Sequence, residues 1–303
     1  MSQAKTFETH SRQVDILRAR GMRVDDRAGA ESTLARLNYY RLSGYWHPMR
    51  RFVDGQALDE FVGGSSFELV LSLYEFDERL RHTVFAELDR VEMAVRAMLG
   101  HELGSIDPMI HLNTKRLGAR ARQLRGRQKT VHSIWLSKYE SAVENSKEDF
   151  VRHHEEKYGG AIPIWAAVEV MDWGMLSHLY GMSPTTARNR IADHCGLSAP
   201  QLESWLKSMN ILRNLAAHHA RMFNRVYDIK PKLNNDPQLL EATVQVNRVF
   251  GQLSLIQYMH RQLKLSPADK LPRLLSTYPD NPIVPLARTG APDNWSHLRL
   301  WLV

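Results

Sequence analysis

The 303-residue sequence predicts an all-α protein: a helical bundle with an N-terminal helical extension and an irregular, extended C-terminal tail. Apolar residues recur at intervals of three and four along most of the chain, which is typical of amphipathic helices. Strand-like alternation between hairpin turns is scarce, and prolines become frequent from residue 266 onward. From these patterns we predict an extension over residues 1–62, a bundle over 63–265, and a tail over 266–303 that packs on the bundle.

The helices are predicted in chain order from their apolar periodicity and from the residues that cap or break them. Their predicted ranges are 11–20, 26–38, 67–103, 132–158, 164–180, 185–195, 199–226 and 238–263. Gly21 is a suitable C-cap for the first helix, and Pro231 and Pro237 break the chain before the last one. Between the second and third helices, the aromatic-rich segment 39–52 is interpreted as a compact turn around Gly44.

The composition indicates a soluble protein with an anionic partner. Lys and Arg total 40 against 33 Asp and Glu, which gives a net charge of +7 and favours a polyanion. Cys195 is the sole cysteine, which excludes an internal disulfide and a thiolate zinc cluster, and we expect it to be a small buried residue. The sequence has no export signal and no apolar run long enough to cross a membrane, so we expect a cytoplasmic protein.

The positive charge is concentrated in one segment. No acidic residue occurs between Asp107 and Glu140. The cations for which we predict RNA binding are Lys115, Arg116, Arg120, Arg122, Arg125, Arg127 and Lys129, and Lys138 follows them. On charge alone, contact with phosphates and a solvated helix face or loop remain alternatives.

A second segment, 205–227, combines arginines, asparagines and two adjacent histidines in WLKSMNILRNLAAHHARMFNRVY. On the predicted helix 199–226, four polar side chains share one stripe. They are Asn214, His218, Arg221 and Arg225. His219 falls on the apolar face, where we expect it to pack in or beside the core. A third face carries small residues that permit close approach of another helix, and it consists of Arg213, Ala216, Ala217 and Ala220.

Arginine and histidine together suit one reaction on RNA. Histidine takes or gives a proton near neutral pH, and arginine matches phosphate oxygens. A base activates the RNA's own 2′-hydroxyl, the cation stabilises charge on the phosphorane, and an acid protonates the leaving 5′-oxygen. This route needs no metal or other cofactor, and DNA, which lacks the 2′-hydroxyl, resists it. Each chain supplies one Arg213–His218 pair, whereas the reaction uses both a base and an acid. This favours a homodimer that brings two such pairs together. The alternative is a structural helix in which this spacing arose by chance.

Residues 213–225, RNLAAHHARMFNR, resemble the signature R-N-x-x-A-H-H-x-R-x-x-N-R of the Abi-like family, the AbiD/AbiF abortive-infection proteins of bacterial phage defence. Further blocks resemble the family in the family order, from the first predicted helix to the C-terminus. They include LNYYRLSGYWHPM, FDERLRHTVFAELDRVEMAVRAML, HHEEKYGGAIPIWAAVEVMDWGMLSHLYGM and GAPDNWSHLRLW. These proteins are in turn similar to HEPN ribonucleases, whose motif is an arginine, a polar residue, a short spacer and a histidine.

The resemblance implies a HEPN-like bundle with metal-independent endoribonuclease activity that acts as a dimer. It also implies a toxin-like role restrained by a partner, which in some members is a small structured RNA. By position, the catalytic residues are Arg213, Asn214 and His218, and the accessory ones are His219, Arg221 and Arg225. Ala216 stands where family members often have cysteine. A non-catalytic scaffold that holds a structured RNA is the alternative function.

Three further patterns are weighed against a structural role. Arg96 and His101 repeat the spacing of four intervening residues, but Glu92 lies one turn before Arg96 in salt-bridge position, which favours structural pairing. The cluster 152–156, RHHEE, lacks the H-E-x-x-H spacing of zinc enzymes and is interpreted as an exposed helix turn. Trp135, close to the basic segment, fits either base stacking or packing.

Overall fold

The computed structural model describes residues 5–126, 128–265 and 267–302, and 61% of these residues are helical. The α-helices are α1 (His10–Ala19), α2 (Arg27–Leu37), α3 (Tyr39–Trp46), α4 (Phe67–Gly104), α5 (Val131–Glu144), α6 (Asp149–Tyr158), α7 (Ile164–Ala167), α8 (Trp173–Met182), α9 (Thr185–His194), α10 (Ala199–Ala217), α11 (Pro237–Ala242), α12 (Val249–Gln262) and α13 (Lys270–Leu275). The strands of the described residues form two antiparallel hairpins, β1 (Arg50–Val53) with β2 (Gln56–Phe61) and β3 (Leu124–Arg125) with β4 (Lys129–Thr130). The predicted all-α fold is confirmed. None of the described helices is long and apolar enough to cross a membrane.

Helix α4 is the central element of the bundle. It is 38 residues long and begins where the Ser66 hydroxyl accepts a hydrogen bond from the Leu69 amide at 3.1 Å. Its apolar residues at intervals of three and four are buried, and they include Val70, Leu73, Leu80, Val84, Leu88, Val91, Val95 and Leu99. Because α3, α7, α8, α9, α10, α12 and α13 all contact it, this one helix positions the rest of the bundle.

Buried apolar side chains form two clusters, and α4 contributes to both. The larger cluster extends from Phe76 on α4 to Trp301 near the C-terminus and contains Cys195, which is buried as expected. The smaller cluster joins α1, α2 and α3 to the first turns of α4, and it also receives Phe223. Since Phe223 belongs to the Arg-His segment, that segment is anchored among the N-terminal helices.

Several predicted helix boundaries are wrong. Segment 39–52 is not a turn: it forms α3, a 3-10 helix at His47–Met49, and β1. Three predicted helices each consist of two separate α-helices, namely those at 132–158, 164–180 and 238–263. The tail also contains the short α-helix α13 and two 3-10 helices, at Leu286–Thr289 and Trp295–His297. Polar caps cause the breaks: Asn145 ends α5, and the Asp172 carboxylate accepts the Met175 amide at 2.7 Å to begin α8. Apolar periodicity continues across these short breaks and hides them.

Candidate active site

Helix α10 ends inside the Arg-His segment. Its last residue is Ala217, and His218 is the C-cap. The prediction of a helix over 199–226 is therefore wrong from His218 onward. Residues 218–225, which we call the motif loop, leave the helix axis and return to the N-terminal part of the molecule.

A left-handed residue produces this helix end. His219 has φ of 54°, which only a small fraction of non-glycine residues adopt. The amide of Ala220 donates to the carbonyl of Leu215 at 2.9 Å, and the His219 amide donates to that of Ala216 at 3.3 Å. These two bonds form a Schellman C-cap, in which glycine usually occupies the position of His219. The sequence therefore carries no conventional stop signal at this point.

The helix end divides the predicted polar stripe. Arg213 and Asn214 lie in the last turn of α10 and His218 follows directly, whereas Arg221 and Arg225 lie beyond the helix. The prediction of one stripe with four members is wrong for this reason. Asn214 and His218 are exposed, and neither side chain has a hydrogen-bond partner among the described residues. His219 is exposed as well, so its predicted packing in or beside the core is also wrong.

Arg213 is held by an aromatic ring rather than by a carboxylate. Its guanidinium carbon lies 5.5 Å from the centroid of Phe85 on α4, within cation–π distance. The described part of the chain provides no ion pair or side-chain hydrogen bond to Arg213, which is half-buried. Its N–H donors therefore remain available to an anion that reaches this end of α10.

Helices α3 and α4 clamp the motif loop by hydrogen bonds. Arg41 of α3 donates to the His219 carbonyl at 2.7 Å. The Asp77 carboxylate of α4 accepts the amide of Phe223 at 2.7 Å and that of Met222 at 3.2 Å. The position of the loop next to His218 is thus set by side chains far away in sequence.

Asp77 is the centre of a buried polar network. Its carboxylate, fully buried, also accepts the Tyr45 hydroxyl at 2.5 Å and pairs with Arg81 at 2.6 Å. Burial and the adjacent Asp77 carboxylate raise the pKa of the Tyr45 hydroxyl, so Tyr45 stays protonated and donates. Burial raises the pKa of the Asp77 carboxyl, and the hydrogen bonds from Tyr45, Arg81 and the two loop amides oppose this rise.

Arg221 and Arg225 have structural contacts in the motif loop. Arg221 donates to the carbonyl of Gly44 at 2.6 Å, and Arg225 donates to the carbonyl of Arg221 at 3.1 Å. A Cβ at Gly44 would lie only 3.0 Å from Nε of Arg221, so the absence of a side chain in α3 makes room for this arginine. Sequence reasoning named both arginines as accessory but missed Arg41, Gly44 and Asp77. A signal existed, because these three lie in the family-like blocks LNYYRLSGYWHPM and FDERLRH.

The cations of the basic segment divide into two groups. Three are committed to the protein itself: Arg116 pairs with Asp107 at 3.5 Å, Arg120 pairs with Glu203, and Arg122 donates to the Thr114 carbonyl at 2.6 Å. The side chains that are exposed and have no such partner in the described chain are Lys115, Arg125 and Lys129. Arg127 lies outside the described residues.

In the second arginine–histidine pair, Arg96 and His101, the arginine has a structural role. Arg96 is 8% exposed and donates to Glu92 at 2.9 Å, as expected, and to the carbonyls of Met171 at 2.9 Å and Val168. His101 is exposed on α4.

The cluster 152–156 lies on α6, and Trp135 lies in the core. In the exposed helix turn expected for the cluster, His154 bonds through Nδ1 to the Phe150 carbonyl at 2.7 Å. Across the described ranges, no group of three or more His, Cys, Asp or Glu side chains is arranged to hold a metal. Trp135 is buried and donates to the Met175 carbonyl at 3.0 Å, so it packs rather than stacks on bases.

A helical bundle that presents an arginine, an asparagine and a histidine at the exposed end of one helix defines a class of all-α proteins with an R-N-x3-H motif. The family model described as "Abi-like protein" matches residues 32–224, more than half of the sequence, and the chain belongs to the Abi-like protein family. The match includes α3, α4 and the motif loop up to Asn224. A comparison with curated proteins and one with solved structures each find no match.

Proposed function

We propose that this Abi-like protein is a HEPN-type endoribonuclease of abortive-infection defence that cleaves RNA through attack by the 2′-hydroxyl. The observation that carries the proposal is the grouping of Arg213, Asn214 and His218 at the exposed end of α10, where Arg213 has no acidic partner among the described residues. Arg96, by contrast, has both terminal guanidinium nitrogens bound within the protein.

In the proposed reaction, His218 transfers a proton at neutral pH and Arg213 stabilises the charge that develops on the phosphorane. Asn214 orients the phosphate or the hydroxyl through its amide. Cleavage leaves a 2′,3′-cyclic phosphate and a 5′-hydroxyl, and DNA is not cut, because it lacks the attacking group. The reaction needs no metal ion or organic cofactor.

One chain supplies one such histidine, whereas the reaction uses both a base and an acid. We therefore propose a homodimer in which the ends of two α10 helices face one another across the scissile phosphate. Ile211 on α10 and Phe85 on α4 are 41% and 40% exposed, and apolar side chains at this end favour contact with a second copy. In the cell, a toxin of this kind needs restraint by a partner such as a small structured RNA.

The second candidate function is an RNA-binding scaffold without catalysis. The observation that favours it is the set of exposed, unpaired cations in the basic segment, Lys115, Arg125 and Lys129. A positive surface of this kind binds phosphates whether or not a strand is cut.

The deciding experiment incubates the purified protein with single-stranded RNA in EDTA and identifies the product ends. We expect cyclic phosphate ends, lost by a factor of about 10² to 10⁴ in His218→Ala and strongly reduced in Arg213→Ala. The matched control is His194→Ala, which removes an exposed histidine at the end of α9 and should keep the activity.

Undiminished cleavage by His218→Ala would exclude the assigned role of this histidine. Tight RNA binding by the wild-type protein with no cleavage would favour the scaffold.

A further inference from the structure

A cavity of about 250 Å³ lies beside α10, between the β3–β4 hairpin, α5 and the start of α8. Its polar lining residues include Arg125, Lys138, His178 and Asn210. An adjoining open groove of about 690 Å³ shares Arg125 and His178 with the cavity and continues to Lys207. We call these five residues and the space between them the basic groove.

The basic groove is positive, and part of its charge is uncommitted. Arg125 and Lys138 are exposed and have no acidic partner among the described residues. Lys207 shares Glu203 with Arg120 and Arg188, so one carboxylate faces three cations. Asp172, the acidic residue in the cavity lining, already caps α8 through the Met175 amide.

Two neutral groups add hydrogen-bonding capacity between the cations. Burial, together with the positive charges of Arg120, Arg125, Lys138 and Lys207, lowers the pKa of His178. Its ring is therefore neutral at pH 7 and offers one donor and one acceptor. The Asn210 side-chain amide has no hydrogen-bond partner in the described chain, and it offers both kinds of group as well.

The basic groove and two members of the R-N-x3-H motif, Asn214 and His218, share one face of α10. Lys207, Asn210 and Asn214 are spaced by three and four residues, so they lie above one another on the helix surface, and His218 follows one turn later. At about 1.5 Å per residue, Lys207 and His218 are separated by roughly 16 Å along the helix. A strand bound in the groove would run along this face directly to the motif.

We propose that the basic groove binds the phosphate backbone of single-stranded RNA and leads the strand to Arg213 and His218. This inference rests on the proposed function. It adds that the RNA substrate is bound as a single strand. A concave channel lined by cations and neutral hydrogen-bonding groups suits a flexible single strand, which can bend into it, whereas a rigid duplex can touch only its rim. The RNA-contacting set predicted from sequence thus changes: Arg125 is retained, Lys138, His178, Lys207 and Asn210 join it, and Arg116 and Arg122 leave it.

The test separates binding from cleavage. The full-length His218→Ala protein binds a labelled single-stranded RNA of mixed sequence while the salt concentration is varied. Adding Arg125→Gln and Lys138→Gln together should weaken binding at least ten-fold and reduce the slope of log Kd against log salt by about 1.4, since each lost phosphate contact on a single strand removes about 0.7. The matched control, Lys147→Gln with Lys157→Gln, removes two exposed lysines outside the groove and should change neither quantity.

In the cleavage-competent protein, the same double substitution should raise KM and leave kcat within about two-fold, as expected for lost uniform binding. Unchanged binding in the groove variant, equal loss in the control, or tighter binding of the matching RNA duplex would overturn the proposal. Absence of cleavage by the wild-type protein, with groove-dependent binding intact, would instead overturn the proposed function alone.

Discussion

The pairs Arg96–His101 and Arg213–His218 have the same spacing and opposite surroundings. Arg96 is buried on α4, and its donors go to Glu92 and to two main-chain carbonyls of the α7–α8 connection. Arg213 is half-buried near the end of α10, where the Phe85 ring lies beside its guanidinium. The spacing of an arginine and a histidine therefore does not define a site. The supply of partners does, because both terminal nitrogens of Arg96 are bound within the protein, whereas no described group forms an ion pair or a hydrogen bond with the Arg213 guanidinium.

The largest expected effect tests this contrast through stability. Arg96→Ala leaves the carboxylate of Glu92 in the core without its partner, and we expect a loss of about 3–5 kcal/mol in the free energy of unfolding. Arg213→Ala removes only a partly exposed cation–π contact and should cost about 0.5–1 kcal/mol. Urea denaturation of both variants measures the difference. Similar losses for the two arginines would abolish the contrast.

The second prediction compares a buried histidine with an exposed one. His111 is fully buried, its ring nitrogens have no hydrogen-bond partner in the described residues, and burial together with nearby His132 lowers its pKa to about 4. Between pH 6.5 and 4, the unfolded chain binds a proton at this histidine and the folded chain does not, so stability falls as the pH falls. At 1.36 kcal/mol per pKa unit, the loss is about 3 kcal/mol.

The measurement is the free energy of unfolding at pH 7 and at pH 4.5. His111→Leu should show a smaller loss than the wild type, by about 2.5 kcal/mol over this pH interval. His101→Ala, at an exposed position, should keep the full pH dependence. An identical pH dependence in His111→Leu would show that another group causes it.

The third prediction concerns the clamp on the motif loop. Gly44→Ala places a Cβ 3.0 Å from Nε of Arg221, and we expect a cost of about 1–3 kcal/mol through overpacking. Because the clash needs the arginine, the same substitution in an Arg221→Ala background should cost much less, which a double-mutant cycle measures. Gly63→Ala, at a position with open space, is the matched control and should be close to neutral. Additive costs would mean that Gly44 and Arg221 are not coupled.

The smallest expected effect tests how Arg213 is held. Phe85→Leu keeps an apolar side chain but removes the ring face, worth about 0.5–1 kcal/mol, so kcat/KM for RNA should fall about two- to five-fold. Met93→Leu, an exposed change on the same helix, should have no effect. Unchanged kcat/KM in Phe85→Leu would show that the ring does not position the arginine.

The sequence predicts the all-α fold and the start of most helices, because periodicity and capping residues are local signals. It predicts α4 almost to the residue, since the apolar stripe runs without interruption from Phe67 to Leu103. It does not predict the end of α10, where His219 occupies a left-handed position without glycine. The errors at Arg221, Arg225 and His219 all follow from this one missed helix end.

The sequence predicts only part of the candidate site, because some of its contacts join residues that are far apart in the chain. Arg213, Asn214 and His218 lie close together in the sequence and resemble a family signature, so a local pattern is enough to find them. The contacts that hold the motif loop join residues far apart in sequence: Arg41 to His219 across 178 positions and Gly44 to Arg221 across 177. No local pattern carries such pairings. The basic groove is hidden in the same way, because its residues come from β3, α5, α8 and α10.

The buried carboxylate of Asp77 also has a consequence for biosynthesis. Its amide partners in the motif loop lie 145 and 146 positions later in the chain. While the ribosome is still making α5 to α9, the nascent protein already contains Tyr45, Asp77 and Arg81 but lacks Met222 and Phe223. Closing so long a loop reduces the conformational entropy of the chain, and this unfavourable change precedes the stabilising contacts. The contacts of Asp77 with the motif loop therefore form only after Phe223 has been translated, so translation products that stop before this residue lack them.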